Sequence, residues 1–149
     1  MNKFAVLCVL LFCTAGLFAQ TAQDMDAVLA AENVSYAQAA RFVLSASEVL
    51  SQDVSAESAF AEALSRGWIP EDTAAEDPIS MGKLSLLIMK SFDLSGGFMY
   101  ALFPVSRYAY RELSYKQIIQ GRSDPAVFLS GERFLHILGR TLSYVEEGV

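Results

Sequence analysis

Cysteine is almost absent from this chain. The 149 residues hold two, Cys8 and Cys13, and both fall inside an uncharged apolar run over residues 4–19. A chain shortened past that run has none, which excludes a disulfide framework, cysteine nucleophiles and thiolate metal sites. Histidine occurs once, as His136, so a histidine-based catalytic centre has little to draw on. Charge is sparse at 19% of residues, against roughly a quarter in an average protein. No basic excess exists either, since 11 Lys and Arg face 17 Asp and Glu for a net charge of −6. That balance excludes a protein that coats nucleic acid. An apolar fraction of 53% with 11% aromatics excludes a disordered acidic tail. No Gly-x-Ser-x-Gly elbow, phosphate-binding loop or zinc motif occurs. The acid pairs Glu71-Asp72 and Glu76-Asp77 lack the Asp-x-Asp-x-Asp-Gly spacing of a calcium loop and read as a solvated acidic loop. Neither an enzyme nor a cofactor is expected.

The apolar run has the layout of an export signal. Met1-Asn2-Lys3 supplies a positive start, Phe4 to Phe18 the apolar stretch, and Ala19-Gln20 a small-residue cleavage junction. Sixteen apolar residues fall short of the roughly 20 that span a bilayer. Lipid attachment at Cys13 is disfavoured by the bulky Phe12 before it. The expected organisation is therefore a signal peptide over 1–19 and one domain over 20–149. The mature chain is expected in the periplasm or cell envelope, without a stable membrane span.

What remains is patterned for helices. Over 35–50, Ala39, Val43, Ala46 and Leu50 recur at helical spacing, with Phe42 and Val49 widening the stripe. Over 130–146, Phe134, Leu138, Leu142 and Val145 do the same, with Arg133, His136 and Arg140 on the other side. The segment LSLLIM at 84–89 is apolar almost all round and predicts the most buried helix; 56–66 and 105–117 complete the set. No window alternates as a strand does. The expected fold class is all-α.

Three places share one layout, an apolar residue, a serine, two variable residues, a polar residue and an apolar helix. They are Val34-Ser35-Tyr36-Ala37-Gln38-Ala39, Ile79-Ser80-Met81-Gly82-Lys83-Leu84 and Leu129-Ser130-Gly131-Glu132-Arg133-Phe134. Ser35, Ser80 and Ser130 are placed to cap their helices, and Ser35 with Gln38 makes a capping box. Before the second and third lies a helix that runs out at glycine, through Gly67-Trp68-Ile69-Pro70 and through Ile118-Ile119-Gln120-Gly121. Each glycine suits a left-handed helix end.

This order of helix, loop and serine-capped helix resembles the S-layer homology (SLH) domain, a family of three repeated helix-loop-helix units. Ile118-Ile119-Gln120-Gly121-Arg122-Ser123-Asp124 is similar to its Gly-Ile-Ile-x-Gly-x-x-Asp-Gly loop, and Pro78-Ile79-Ser80 to its Pro-Ile-Thr-Arg-Ala-Glu helix start. The resemblance spans 24–146. It implies a prism of three units around one core that anchors to cell-wall glycan, with a groove where the loop meets the capped helix. The family's motif arginine is replaced by Tyr36, Met81 and Gly131, and Asp124 is followed by Pro125. In the third unit the implied groove gathers Arg122, Ser123, Asp124, Ser130 and Arg133, with Arg122 and Arg133 able to hold a carboxylate. The second unit offers Lys83 there.

Charge is unevenly spread, with residues 20–80 at net −9 and 81–149 at net +2. Arg107 and Arg111 share a helix face, and Tyr100, Tyr108, Tyr110 and Tyr115 interleave with the cations. Rings that stack on sugars beside arginines such as Arg111 suit an acidic glycan. The alternative is that the tyrosines pack in the core and the arginines complement the acidic half. Two function classes follow. One is an exported envelope module that binds cell-wall glycan or an envelope partner protein. The other is a purely structural helical subunit of an envelope assembly. Exposure of Phe98, Met99, Tyr100 and Phe103, in the uncharged connection 96–104, would favour a protein partner.

Overall fold

The computed structural model describes residues 22–121 and 123–148, and they are all-α. The apolar run, its Ala19-Gln20 junction and Arg122 lie outside the described residues. A helix over residues 22–29 (α1) is followed by α2 (Tyr36–Ala46), α3 (Ala56–Ser65), α4 (Met81–Ser91), α5 (Phe98–Leu102), α6 (Ser106–Tyr115) and α7 (Gly131–Glu146). Among the described residues, extended pairing amounts to isolated bridges between Ser35 and Pro78 and between Ser80 and Phe128.

Serine starts four of these helices. Ser35 Oγ accepts from the Gln38 N–H at 3.2 Å while Gln38 Oε1 accepts from the Ser35 N–H at 3.1 Å, closing the capping box. Ser55 Oγ accepts from the Ser58 N–H at 3.2 Å. Ser80 and Ser130 accept from the Lys83 and Arg133 N–H groups, each at 3.4 Å. The starts of α5 and α6, at Gly97 and Val105, have no side-chain cap.

Helix ends correct the sequence reading. The stripe over 35–50 predicts a helix to residue 50, yet α2 stops at Ala46 and Glu48 turns left-handed at φ 59°. Val49 and Leu50 then return both their N–H groups to the Leu44 carbonyl and pack against the core. In the α6 unit the left-handed residue is Gln117 at φ 58°, not Gly121. Ile118 and Ile119 fold back from there, their N–H groups on the Leu113 carbonyl. Gly121 is also left-handed at φ 80°, but it sits in the loop beyond. Only after α3 does glycine take the role, Gly67 at φ 68° with the Trp68 N–H on the Ala63 carbonyl. The geometry is the Schellman turn each time, so backbone bonding and the apolar fold-back decide it more than residue type does.

The core is built chiefly by the three long capped helices. Leu84, Leu87, Ile88 and Met89 of α4, Val43 and Leu44 of α2, and Phe134, Ile137 and Leu138 of α7 are all buried. Phe42 meets Phe134 edge to face, with ring centres 6.2 Å apart. Helix α3 packs on α2, α6 packs on α4, and α2 touches both α4 and α7. The helix starts are tied to each other through the backbone. The first-turn N–H groups of Tyr36, Met81 and Gly131 donate to the carbonyls of Asp77, Val127 and Ala31. Val34 donates to Leu129, and Ile79 donates to Val34. Buried Ser85 and Thr141 return their hydroxyls to the Met81 and Ile137 carbonyls. Among the described residues, no buried side-chain polar atom lacks a partner.

Two helices escaped the sequence patterns. Helix α1 exposes most of its residues and buries Val28. Helix α5 lies where an apolar connection is expected, packed against α6.

Candidate functional site

The loop after α6 meets the first turn of α7. Arg133 is half-buried and its Nη2 donates to Ser123 Oγ at 2.7 Å. Tyr110 of α6 donates its hydroxyl to the Ser123 carbonyl at 2.5 Å, pinning the same residue from the other side. Asp124 Oδ1 accepts from the Ala126 N–H at 2.8 Å, which turns the chain toward Pro125 and Val127. Ser130 is exposed, with its Oγ engaged on the Arg133 N–H. Ser123, Ser130 and Arg133 are thus brought together, while Arg122 lies outside the described residues.

Arg111 stands elsewhere. It lines a groove with Arg107, Tyr110, Ser106, Ser80, Gly82, Pro125 and Ala126. A second, shallower hollow is lined by Tyr110, Ser114, Gly121, Ser123 and Asp124. Tyr110, one of the tyrosines interleaved with the cations, is the wall the two share. Its helix position beside Arg111 was visible; its docking on Ser123, 13 residues away, was not.

The cations of the second half divide into two groups. Arg140 Nε donates to the Ile118 carbonyl at 2.6 Å, and Lys116 Nζ donates to the Tyr144 hydroxyl at 3.0 Å while lying over that ring. These hold α7 to the end of α6. Arg107 and Arg111 are exposed and make no ion pair among the described residues. Those that do form join Arg41 to Asp24, and Arg66 to Glu62 at 2.7 Å. Lys83 faces a hollow of opposite character, with Asp72, Asp77, Thr73, Tyr36, Pro70, Pro78 and Phe128. Burial raises the Tyr36 phenol above its ordinary value, and the negative charges of Asp77 and Asp72 push it further.

Among the described residues, α5 and its exit expose a run of large apolar side chains. Phe98 is 75% exposed and Phe103 56%, with Met99, Leu102 and Val105 exposed beside them. Tyr100 departs from the expected set because it is buried. Its ring packs beside Gly96, and burial, then Asp93, then Glu112, raise its phenol. It anchors α5 and leaves the other side chains outward.

His136 is exposed on α7. Among the described residues no group of three or more His, Cys, Asp or Glu side chains converges as metal ligands. No helix among them is long and apolar enough to cross a membrane. The chain matches no protein-family model, no curated protein and no solved structure.

Proposed function

We propose that the chain is an exported, non-enzymatic module of the cell envelope, built as three SLH-like units around one core, that docks an envelope partner protein. The cluster at α5 carries the docking. Phe98, Met99, Leu102, Phe103 and Val105 leave five large apolar side chains in water within eight residues. Contiguous apolar exposure of this kind marks an interaction surface. Support for the three-unit arrangement comes from the backbone bonds that link the starts of α2, α4 and α7. Support for export comes from the composition of residues 1–20, with removal of 1–19 as the expected processing step.

Cell-wall glycan is the competing ligand. It is favoured by Arg133 on Ser123, a guanidinium where the resemblance puts the groove. The two are separated by photo-crosslinking in the source cell, beside a peptidoglycan pull-down of the exported chain. Crosslinkers at Phe98 and Phe103 are compared with one at Tyr115, an exposed aromatic outside α5. One protein captured from both α5 positions and not from Tyr115 is the expected result. Retention on peptidoglycan with no crosslinked partner would replace this reading with the glycan one, and an intact Met1 on exported material would remove the signal peptide.

A further inference from the structure

We infer that the α5 cluster and the arginine groove of α6 form one docking surface for a polypeptide segment that carries carboxylates beside apolar side chains. The inference rests on the protein-partner reading and adds the chemistry of the partner. Arg107 and Arg111 stand one turn apart on α6, both exposed, in a chain whose net charge is −6. Like charges at this spacing repel in the free molecule. An incoming carboxylate relieves that repulsion and can accept from either guanidinium fork.

Ser80, Ser106 and Tyr110 line the groove with Arg107 and Arg111, as do Pro125 and Ala126. Gly82 lies in its lining, where a Cβ would come within 3.2 Å of the Pro125 carbonyl. The acids near α5 are not among its lining residues. Glu112 approaches Gly97, and with Asp93 it acts on Tyr100; neither lines the groove. Residues 103–105 lead from the exposed α5 side chains directly into the α6 turn that bears Arg107.

Packing does not require the arginine pair. Helix α3 is also 10 residues long and pairs with α2 as α6 pairs with α4. Counted from the cap, its corresponding residues are Glu57 and Ala61. The same hairpin thus forms with an acid and a methyl group in those places. Charge complementarity, together with the apolar side chains next to it, selects an acidic and apolar segment as the occupant.

The test uses a displayed library of random short peptides, selected on the exported chain and counter-screened on two variants. One is Arg107→Glu with Arg111→Glu; the other is Phe98→Ser with Phe103→Ser. All four positions are exposed, and unchanged helicity and melting confirm that each variant folds. Enriched peptides should combine Asp or Glu with Phe, Leu or Trp, lose about tenfold or more in affinity on either variant, and weaken with added salt. Enrichment of peptides without acids, undiminished binding to the arginine variant, displacement by acidic glycan fragments or phospholipid vesicles, or no enrichment at all would each overturn the inference. A partner crosslinked from α5 that binds the arginine variant normally would sink the charge assignment alone. Failure to crosslink any protein would remove the underlying reading.

Discussion

The carbonyl oxygen of Val28 occupies the place that a side chain at Gly131 would need. Helix α7 starts against the end of α1 at that point, with the Gly131 N–H donating to the Ala31 carbonyl at 3.0 Å. Gly131→Ala forces backbone apart in a packed region and should lower stability by about 1–3 kcal/mol. Gly139 sits in the same helix with nothing within 4 Å of a Cβ. Gly139→Ala should therefore raise stability by about 1 kcal/mol, the helix-propensity difference. Urea unfolding of the two variants checks the opposite signs, and equal signs would refute the close approach of α1.

Left-handed helix ends give a second pair of opposite signs. Gly67 at φ 68° also has nothing within 4 Å of a Cβ, so Gly67→Ala meets conformational cost alone. The loss should be about 1–2 kcal/mol. Gln117 at φ 58° already bears that cost, and Gln117→Gly should gain up to about 1 kcal/mol, less what glycine adds to unfolded-chain freedom. Thermal melts of both variants give the comparison. A destabilised Gln117→Gly would mean that its side-chain bond to the Ser114 carbonyl, at 3.1 Å, outweighs backbone strain.

Phe134 is the most informative core position because it is fully buried and meets Phe42 edge to face. Phe134→Ala should cost about 3–5 kcal/mol. Leu138→Ala, at a site 6% exposed, should cost about 2–5 kcal/mol. Denaturant titration followed by helical circular dichroism measures both.

Two phenols make stability fall in alkali. Tyr36 and Tyr100 have raised folded-state values, first through burial and then through Asp77 and Asp72 for one, Asp93 and Glu112 for the other. The unfolded chain therefore loses these protons first, and stability declines as pH rises past the ordinary tyrosine value of about 10. Below that value both states hold the proton and the two tyrosines contribute no slope. Melting between pH 8 and 11 should show the decline, and Tyr36→Phe with Tyr100→Phe should flatten it. An unchanged alkaline slope in the double variant would assign it to other groups.

Much of the fold was legible because serine caps and a 3.6-residue apolar period coincide at α2, α4 and α7. Helix α1 was not, since it is short and buries Val28 alone, and its close approach is to Gly131, about a hundred residues later in the chain. The helix ends at Glu48 and Gln117 were equally hidden, because neither residue type favours a positive φ. Ser123, Ser130 and Arg133 meet because the loop and capped helix are close in sequence. The Arg107 and Arg111 face was readable as a pair one turn apart. The groove around it was not, since it also needs Ser80 and Gly82 of α4 and the Pro125 loop.

The bond from Val34 to the Leu129 carbonyl, with that from Gly131 to the Ala31 carbonyl, fastens the last capped helix to the first. An open row of repeats can fray from an end, one unit at a time. Here removal of α7 strips partners from residues 31 and 34 at the far end of the chain. Melting should accordingly be a single concerted event, and folding should be slowed by the long loop that must close before α7 finds α1. A chain permuted to begin between α3 and α4 would keep the same linkages.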